Sequence, residues 1–193
     1  MRNRNRIIIG FLVFFVSYII FLVLWIQIKP YYGVALTQVG TRLAAWTTGV
    51  KVDKIQQGKD LATITFSRVV IKEGRLGDLL LDIKISVSNY SFNVPLTFAL
   101  AVSLLTAFKW RKKAIIEACL ILIFVHLLYV YFFSCLKICH QLSIAGAESY
   151  SRAVQFFLQF MWAFTDNLII RFEPFLVGVY VWLRNLGRPR LSN

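Results

Sequence analysis

Long apolar runs that end in basic clusters are the dominant pattern of this chain. The first run extends from Ile7 to Ile28, behind three arginines within the first six residues. The second reaches from about Phe92 to Phe108 and stops at the basic cluster 109–113, and a third continues from there to about Leu136. Because an α-helix rises about 1.5 Å per residue, a run of about 17–25 apolar residues matches the ~30 Å hydrocarbon core of a bilayer. The pattern predicts a membrane protein with several helical spans.

A fourth crossing is predicted between about Ala153 and Leu183, where the apolar pattern is less regular. Two shorter apolar stretches are separated here by a segment that contains three charged residues, Asp166, Arg171 and Glu173. We favour one continuous helix that bends near Pro174, because proline lacks the N–H and its ring disrupts the preceding turn. The first turns of this helix would project from the bilayer. The alternative is an amphipathic helix from about Ile144 on the membrane surface, followed by a short crossing that begins near Phe172.

A polar segment, residues 30–91, lies between the first two runs and begins with a helical pattern. Its apolar residues recur at intervals of 3, 4 and 3, which is the stripe of an amphipathic helix: Leu36, Val39, Leu43 and Trp46. Gly49 gives a stop signal, because glycine readily adopts the left-handed conformation that ends many helices. The pattern predicts a helix that ends at Gly49.

Beyond Gly49 the pattern changes to the alternation typical of β-strands. Val50 and Val52 alternate with charged residues, and further strand-like stretches follow at Leu61–Phe66, Val69–Ile71 and Leu79–Val87. Turn-like residues separate them at 57–60 and 74–78. We therefore expect an antiparallel meander of three or four strands. About 40 residues cannot form an independent core, so its apolar face must pack on the preceding helix, the membrane surface or a partner.

Composition and charge distribution favour a membrane role over nucleic-acid binding. The 193 residues are 58% hydrophobic and only 16% charged, with a formal net charge of +13. Ten of the 22 Lys and Arg residues lie in three places, namely the N-terminal tail, the cluster 109–113 and the C-terminal tail from Arg184. Positive-inside topology places such clusters in the cytoplasm, where they also attract anionic headgroups. No nucleic-acid partner is needed to explain the charge.

This topology places both termini in the cytoplasm and divides the chain into four parts. They are the N-terminal tail and first span (1–29), the extracytoplasmic helix and meander (30–91), the second and third spans with their basic turn (92–136), and the fourth span with its tail (137–193). The predicted fold class is membrane α-helical, with about four transmembrane helices and a small extracytoplasmic α+β insertion. The lipid bilayer is its first partner, and a multi-pass inner-membrane location follows.

His126 is the most conspicuous polar residue within an apolar run. Ionisable groups inside a membrane usually face the protein interior and raise a functional hypothesis. A neutral histidine that bonds to a neighbouring helix is the favoured interpretation, and a proton-handling role is the alternative. Cys119 lies two helical turns away, about 10 Å along the helix, which excludes a directly bonded Cys–His pair. No catalytic, cofactor or metal site is predicted from these residues.

Asp166, Arg171 and Glu173 are candidate partner-binding residues, together with His126. At a membrane interface they would be ordinary snorkelling side chains. If the fourth helix is buried in a complex, Arg171 requires a carboxylate partner, either internal or from another protein. An autonomous membrane enzyme or transporter typically gathers several polar groups at mid-depth. The sequence shows His126 nearly alone, which favours a protein that is not an enzyme.

One short stretch resembles a known family. Residues 89–100 read Asn-Tyr-Ser-Phe-Asn-Val-Pro-Leu-Thr-Phe-Ala-Leu and lead into a second span rich in small residues. This Tyr-Ser-aromatic-x-x-Pro pattern, and the order of anchor helix, β-containing loop and further spans, resemble the small membrane proteins that accompany exosortase H in bacterial gene neighbourhoods. The chain departs from that pattern at Asn93, where glycine is expected. The resemblance implies an accessory of an envelope protein-sorting transpeptidase and supplies no catalytic residues.

The sequence therefore predicts a non-enzymatic accessory or scaffold subunit of a bacterial envelope complex, with another integral membrane or envelope protein as its partner. The alternative is a small membrane enzyme or transporter subunit that uses His126 with Arg171 and Glu173. Assembly of identical copies through the fourth helix is a third alternative.

Overall fold

The computed structural model describes residues 2–72, 75–105 and 112–186 and shows a mostly helical protein with one small sheet. In these ranges, six α-helices and three strands follow one another in chain order: α1 (Arg2–Thr48), β1 (Lys51–Gln57), β2 (Leu61–Lys72), β3 (Arg75–Ser86), α2 (Val87–Ser91), α3 (Val94–Leu105), α4 (Lys112–Ile144), α5 (Arg152–Phe164) and α6 (Arg171–Leu186). A π-helical segment, Thr165–Ile170, joins α5 to α6. We call the end of the helix bundle that lies next to the sheet the sheet end.

Among the described residues, three helical stretches are long and apolar enough to cross a membrane: Ile8–Thr48, Ile116–Ile144 and Arg152–Leu183. The predicted second span, about Phe92–Phe108, corresponds to α3. Only 12 residues of α3 are described, a length of about 18 Å, and residues 106–108 lie outside the described part. The basic cluster lies largely outside it as well, since residues 109–111 are not described. The structure therefore confirms the helical membrane class but not the count of four spans.

Helix α1 joins two elements that the sequence analysis separated. It runs without interruption for 47 residues and contains Pro30, which lies between the predicted anchor and the predicted amphipathic helix. It ends where predicted, because Gly49 has a φ of +68° and the Val50 N–H donates to the Ala45 carbonyl at 3.1 Å. This bond from the residue beyond a left-handed glycine is the closing bond of a Schellman motif.

The inner face of α1 at the sheet end consists of small residues, not of the predicted apolar stripe. Gly33, Thr37, Gly40, Thr41, Ala44 and Ala45 are buried on this face. A Cβ atom at Gly40 would lie 2.6 Å from Val130 of α4, and one at Gly33 would lie 2.5 Å from Val87. Small residues let helix backbones approach closely, as in membrane-protein helix pairs. Of the stripe, only Leu36 is buried, while Val39, Leu43 and Trp46 face away from the core.

The predicted meander is a three-stranded antiparallel sheet of order β1-β2-β3. Strand β2 unites the two stretches predicted at 61–66 and 69–71. The predicted turn at 74–78 is too long, because Gly77 and Asp78 already pair with Val70 and Val69. One sheet face is apolar and buried, with the cross-strand pairs Ala62–Ile85, Ile64–Ile83 and Phe66–Leu81. This face packs against α1 and α4, so the sheet has no core of its own.

The predicted fourth crossing is one continuous helical path from Arg152 to Leu186, as favoured, although its backbone is not uniform. The π-helical segment, Thr165–Ile170, directly precedes α6, and Pro174 lies in the first turn of that helix. Helix α5 packs on α4 near the sheet end, whereas α6 packs on α3. The Ser151 side chain caps the start of α5 by accepting a hydrogen bond from the Val154 N–H at 3.3 Å. The helical path thus has two different main packing partners, α4 before the π-helical segment and α3 after it.

Candidate functional site

The structure places a buried chain of four polar side chains where α1, α3, α4 and α6 meet. The Tyr32 hydroxyl lies 2.6 Å from Nδ1 of His126, and Nε2 of the same ring lies 2.7 Å from a carboxylate oxygen of Glu173. The Thr97 hydroxyl lies 3.2 Å from the other carboxylate oxygen, to which it can donate. His126 is fully buried and Glu173 is 2% exposed. We call these four residues the buried relay.

Two proton arrangements keep both hydrogen bonds to the His126 imidazole. With Glu173 ionised, the Tyr32 hydroxyl donates to Nδ1 and Nε2–H donates to the carboxylate, because a carboxylate only accepts. One added proton reverses the direction, so that a protonated Glu173 donates to Nε2 and Nδ1–H donates to the Tyr32 oxygen. The Tyr32 O–H then needs another acceptor, so the first arrangement satisfies the buried relay more fully.

Aromatic rings enclose His126 and separate it from the sheet end. The Tyr32 and Tyr90 ring centroids lie 5.8 and 5.6 Å from the imidazole, and Tyr129 packs on Tyr90 at 5.5 Å. Tyr90 itself is fully buried. Such a layer excludes water, which strengthens hydrogen bonds inside the site and makes an unpaired polar group there costly.

Glu173 lies shortly after the π-helical segment, in a turn where Pro174 removes one helical hydrogen bond. Pro174 has no N–H, so the carbonyl of Ile170, four residues earlier, lacks its normal helical donor. The Asn93 side-chain amide supplies this bond at 2.6 Å, and Asn93 is itself buried. Asn93 belongs to the short link between α2 and α3, and its own carbonyl accepts from the Thr97 N–H and lies 3.0 Å from the Thr97 hydroxyl. Asn93 therefore contacts both Thr97 and the carbonyl of Ile170, three residues before Glu173.

An apolar cavity of about 310 Å³ opens beside Tyr32, between α1, α3 and α4. Its walls include Trp25, Phe98 and Leu122, and Cys119 also lines it. The cavity contacts the buried relay only through Tyr32, since His126 and Glu173 are not among its lining residues. Any molecule in this cavity would therefore meet the phenol of Tyr32 rather than the imidazole.

The structure separates the four predicted partner-binding residues into two places. His126 and Glu173 are joined in the buried relay. Asp166 and Arg171 instead line an open polar depression near the sheet end, together with Ser88, Asn89 and Phe92. Arg171 is exposed, so it does not require an internal carboxylate. Of the two residues that the alternative function groups with His126, the structure places Glu173 beside it and Arg171 in the depression.

Sequence reasoning missed Tyr32, Thr97 and Asn93. The expectation that His126 is nearly alone is wrong, because Tyr32 and Glu173 both bond to its ring. Thr97 and Asn93 lie inside the stretch 89–100 that carried the family resemblance, but Asn93 is the position at which the chain departs from the family pattern. Tyr32 carries no sequence signal beyond its position just after Lys29 and Pro30. A second polar contact between helices was also missed, in which the Tyr180 hydroxyl donates to Glu117 at 2.6 Å.

Polar networks connect the sheet to the helices on both sides. Asp60 accepts hydrogen bonds from Ser86 and Ser88 and forms an ion pair with Lys29 of α1. On the other side, Arg68 of β2 pairs with Glu148, which also accepts from Tyr150. The Arg68 hydrogen bond lowers the pKa of Glu148. The two networks fix the sheet relative to the helices that carry the buried relay.

Asp60→Asn should lower stability at neutral pH and lose that effect in acid. Burial alone would raise the pKa of Asp60, but hydrogen bonds from Lys29, Ser88 and Ser86 hold it well below its ordinary value. A depressed carboxyl pKa stabilises the fold above the unfolded-state value of about 3.9, and this contribution is lost as the pH falls. Thermal unfolding of the detergent-solubilised protein at pH 7 and at stepwise lower pH measures the effect. Asp53→Asn, an exposed position of β1, is the control, and equal losses for both variants would contradict the prediction.

In the described residues, no three His, Cys, Asp or Glu side chains gather into a group that could hold a metal ion. Cys135 and Cys139 are buried on α4, whereas the neighbouring His140 is exposed.

The apolar helices, the internal polar relay and the small sheet that depends on them define a helical integral membrane protein. A family model described as exosortase H-associated membrane protein matches residues 1–185, so the chain belongs to that family. This confirms the resemblance found at residues 89–100. No curated protein and no solved structure matches the chain.

Proposed function

We propose that this protein is a non-enzymatic accessory or scaffold subunit of an exosortase-type protein-sorting system. It would cross the bacterial inner membrane four times, with both termini in the cytoplasm and the sheet outside. The family description names an association with exosortase H, which makes an integral membrane protein the expected partner. The observation that carries the non-enzymatic proposal is burial, since His126 is fully enclosed and Glu173 almost so. A catalytic pair has to reach its substrate.

The buried relay then serves to hold four helices in one arrangement. Interhelical hydrogen bonds in membranes fix register and orientation more than they add stability. The relay also positions the half-buried Asp166 and the exposed Arg171 next to α2, at the sheet end. Under this proposal that depression, rather than the relay, contacts the partner.

Arg171→Ala should weaken association with exosortase H about three- to tenfold and leave membrane insertion intact, because a charge at the edge of an interface contributes modestly to binding. The measurement is co-purification of tagged exosortase H with the full-length chain from co-expressing membranes. Arg152→Ala is the matched control, since Arg152 is also an exposed arginine on the same helical path. Undiminished co-purification of the Arg171 variant would count against this contact.

The rival function is a small membrane enzyme, and one observation favours it. Tyr32 lines the apolar cavity, its hydroxyl is hydrogen-bonded to the His126 imidazole, and this imidazole is bonded to the Glu173 carboxylate. This order resembles a nucleophile, base and orienting acid. Glu173→Gln separates the two functions, because glutamine keeps the size and hydrogen-bonding capacity of the side chain but cannot ionise. A scaffold retains sorting activity in cells carrying this variant, whereas an enzyme that uses the relay loses it.

A further inference from the structure

Helix α1 carries an apolar ridge that no described part of the chain covers. The ridge consists of Tyr31, Ala35, Val39, Leu43 and Trp46, spaced four, four, four and three residues apart. Tyr31 and Trp46 are 78% and 82% exposed, and Val39 and Leu43 are about half exposed. We call these five residues the α1 ridge. It lies opposite the small-residue face by which α1 packs on α4 and the sheet.

Lipid cannot cover the whole of this helix. Residues Ile8 to Ile28 already span about 31 Å, which equals the hydrocarbon thickness. Trp46 lies 17 residues beyond Lys29, or about 26 Å further along the axis. The far half of the α1 ridge is therefore outside the hydrocarbon core when the first apolar run is inside it. A contiguous exposed apolar stripe outside lipid marks a protein interaction site.

Toward the first apolar run, the ridge leads to the apolar cavity. Leu24 and Ile28, which precede Tyr31 on α1, are about half exposed and line this cavity between α1, α3 and α4. A partner that contacts Leu43 and Trp46 can thus extend along α1 toward the cavity, which lies at the depth of the first apolar run. This geometry fits a helix of a membrane-anchored protein better than a soluble domain, because one helix can follow α1 both inside and outside the hydrocarbon core.

Charge argues against a second copy of this chain as the occupant. Arg42 is exposed beside Leu43 at the edge of the α1 ridge. Two copies in one membrane have the same orientation, so a two-fold axis along the membrane normal would bring Arg42 close to its own counterpart at the same height. Like charges at such a contact repel each other, and the chain as a whole carries a net charge of +13. The ridge therefore fits a partner with an acidic side chain at the height of Arg42.

We infer that the α1 ridge is the docking surface for a helix of the exosortase partner, with Arg42 facing an acidic residue of that helix. The inference rests on the proposed function, because the family description supplies the partner. It adds a contact on α1 to the one proposed at the depression that contains Arg171.

Site-specific photocrosslinking tests this docking surface. A photoreactive phenylalanine analogue replaces Val39, Leu43 or, as the control, Leu80, an exposed residue of β3. Membranes contain the full-length chain and tagged exosortase H. We expect crosslinks to exosortase H from Val39 and Leu43 but not from Leu80. Trp46→Ala should also weaken co-purification about tenfold, as truncation of an interface aromatic commonly does. Since the side chain is exposed, this variant should insert and fold normally.

The other outcomes overturn the inference in distinguishable ways. Crosslinks between two copies of this chain would make the ridge a self-association surface. Crosslinks to lipid alone, with wild-type co-purification intact, would remove the ridge as the docking surface and leave the proposed function standing. If the wild-type chain fails to co-purify with exosortase H at all, the proposed function fails and the inference fails with it.

Discussion

His126→Leu and Glu173→Leu should each destabilise the helix bundle by about 2–4 kcal/mol. Loss of one partner of a buried ion pair costs about 3–5 kcal/mol, whereas neutral interhelical hydrogen bonds in membranes contribute about 0.6–2 kcal/mol. The His126–Glu173 contact falls between these cases, because the pair is buried but its charge can be neutralised by one proton. Each single variant leaves the remaining polar group without its partner at 2.7 Å.

The double variant His126→Leu/Glu173→Leu should cost clearly less than the sum of the two single variants. Both polar groups are then absent, so neither leaves the other unpaired, and two apolar side chains occupy the site. The Tyr32 hydroxyl loses its bond to His126 in the single His126 variant and in the double variant alike, so this loss does not add a second time. Reversible unfolding in mixed detergent–SDS micelles measures all three free energies. Leu120→Ala, an exposed position of α4, is the control and should change little. Strictly additive losses would show that the two side chains do not act as a pair.

This result also bears on function. A strongly coupled pair whose neutral replacement restores stability behaves as a structural connection between α4 and α6. If the double variant is stable and still supports sorting, the buried relay has no chemical role in sorting. If it is stable and sorting is lost, the rival function that uses Tyr32, His126 and Glu173 gains support.

The sequence predicted the elements whose signal is local. The strand alternation and the helix stop at Gly49 depend on a few neighbouring residues, and the structure confirms both. Three of the four predicted spans correspond to helices that are long and apolar enough to cross a membrane. The continuity of α1 through Pro30 was not predicted. A proline removes one hydrogen bond but does not end a helix that packs on neighbours along both halves, as α1 does on α3 and α4.

The buried relay was beyond sequence reasoning because its members are distant in the chain. His126 and Glu173 are 47 residues apart, and Tyr32 is 94 residues from His126. Periodicity indicates which face of a helix is apolar, but it does not indicate which helices meet. The small-residue face of α1 illustrates the same limit. Hydrophobicity selected Val39, Leu43 and Trp46 as the packing stripe, whereas backbone approach at Gly33 and Gly40 decided which face is buried.

Asn93→Ala should destabilise the protein by about 1–3 kcal/mol, because it leaves the Ile170 carbonyl unpaired in a buried place. The same substitution should cost less than about 1 kcal/mol when Pro174→Ala is already present. Alanine at 174 has an N–H that can bond to the Ile170 carbonyl in the normal helical pattern, so the Asn93 amide is no longer needed. The two residues are therefore expected to show strong coupling through the carbonyl that connects them.

Asn167→Ala provides the matched control for this cycle. Its side-chain amide also donates to a carbonyl of the same helical path, that of Ala163 at 3.1 Å, but Asn167 is exposed. Water can replace that bond, so the loss should be small with or without Pro174. Unfolding free energies of the single and double variants decide the matter. If Asn93→Ala costs the same in both backgrounds, the Asn93 amide does not substitute for the missing proline N–H.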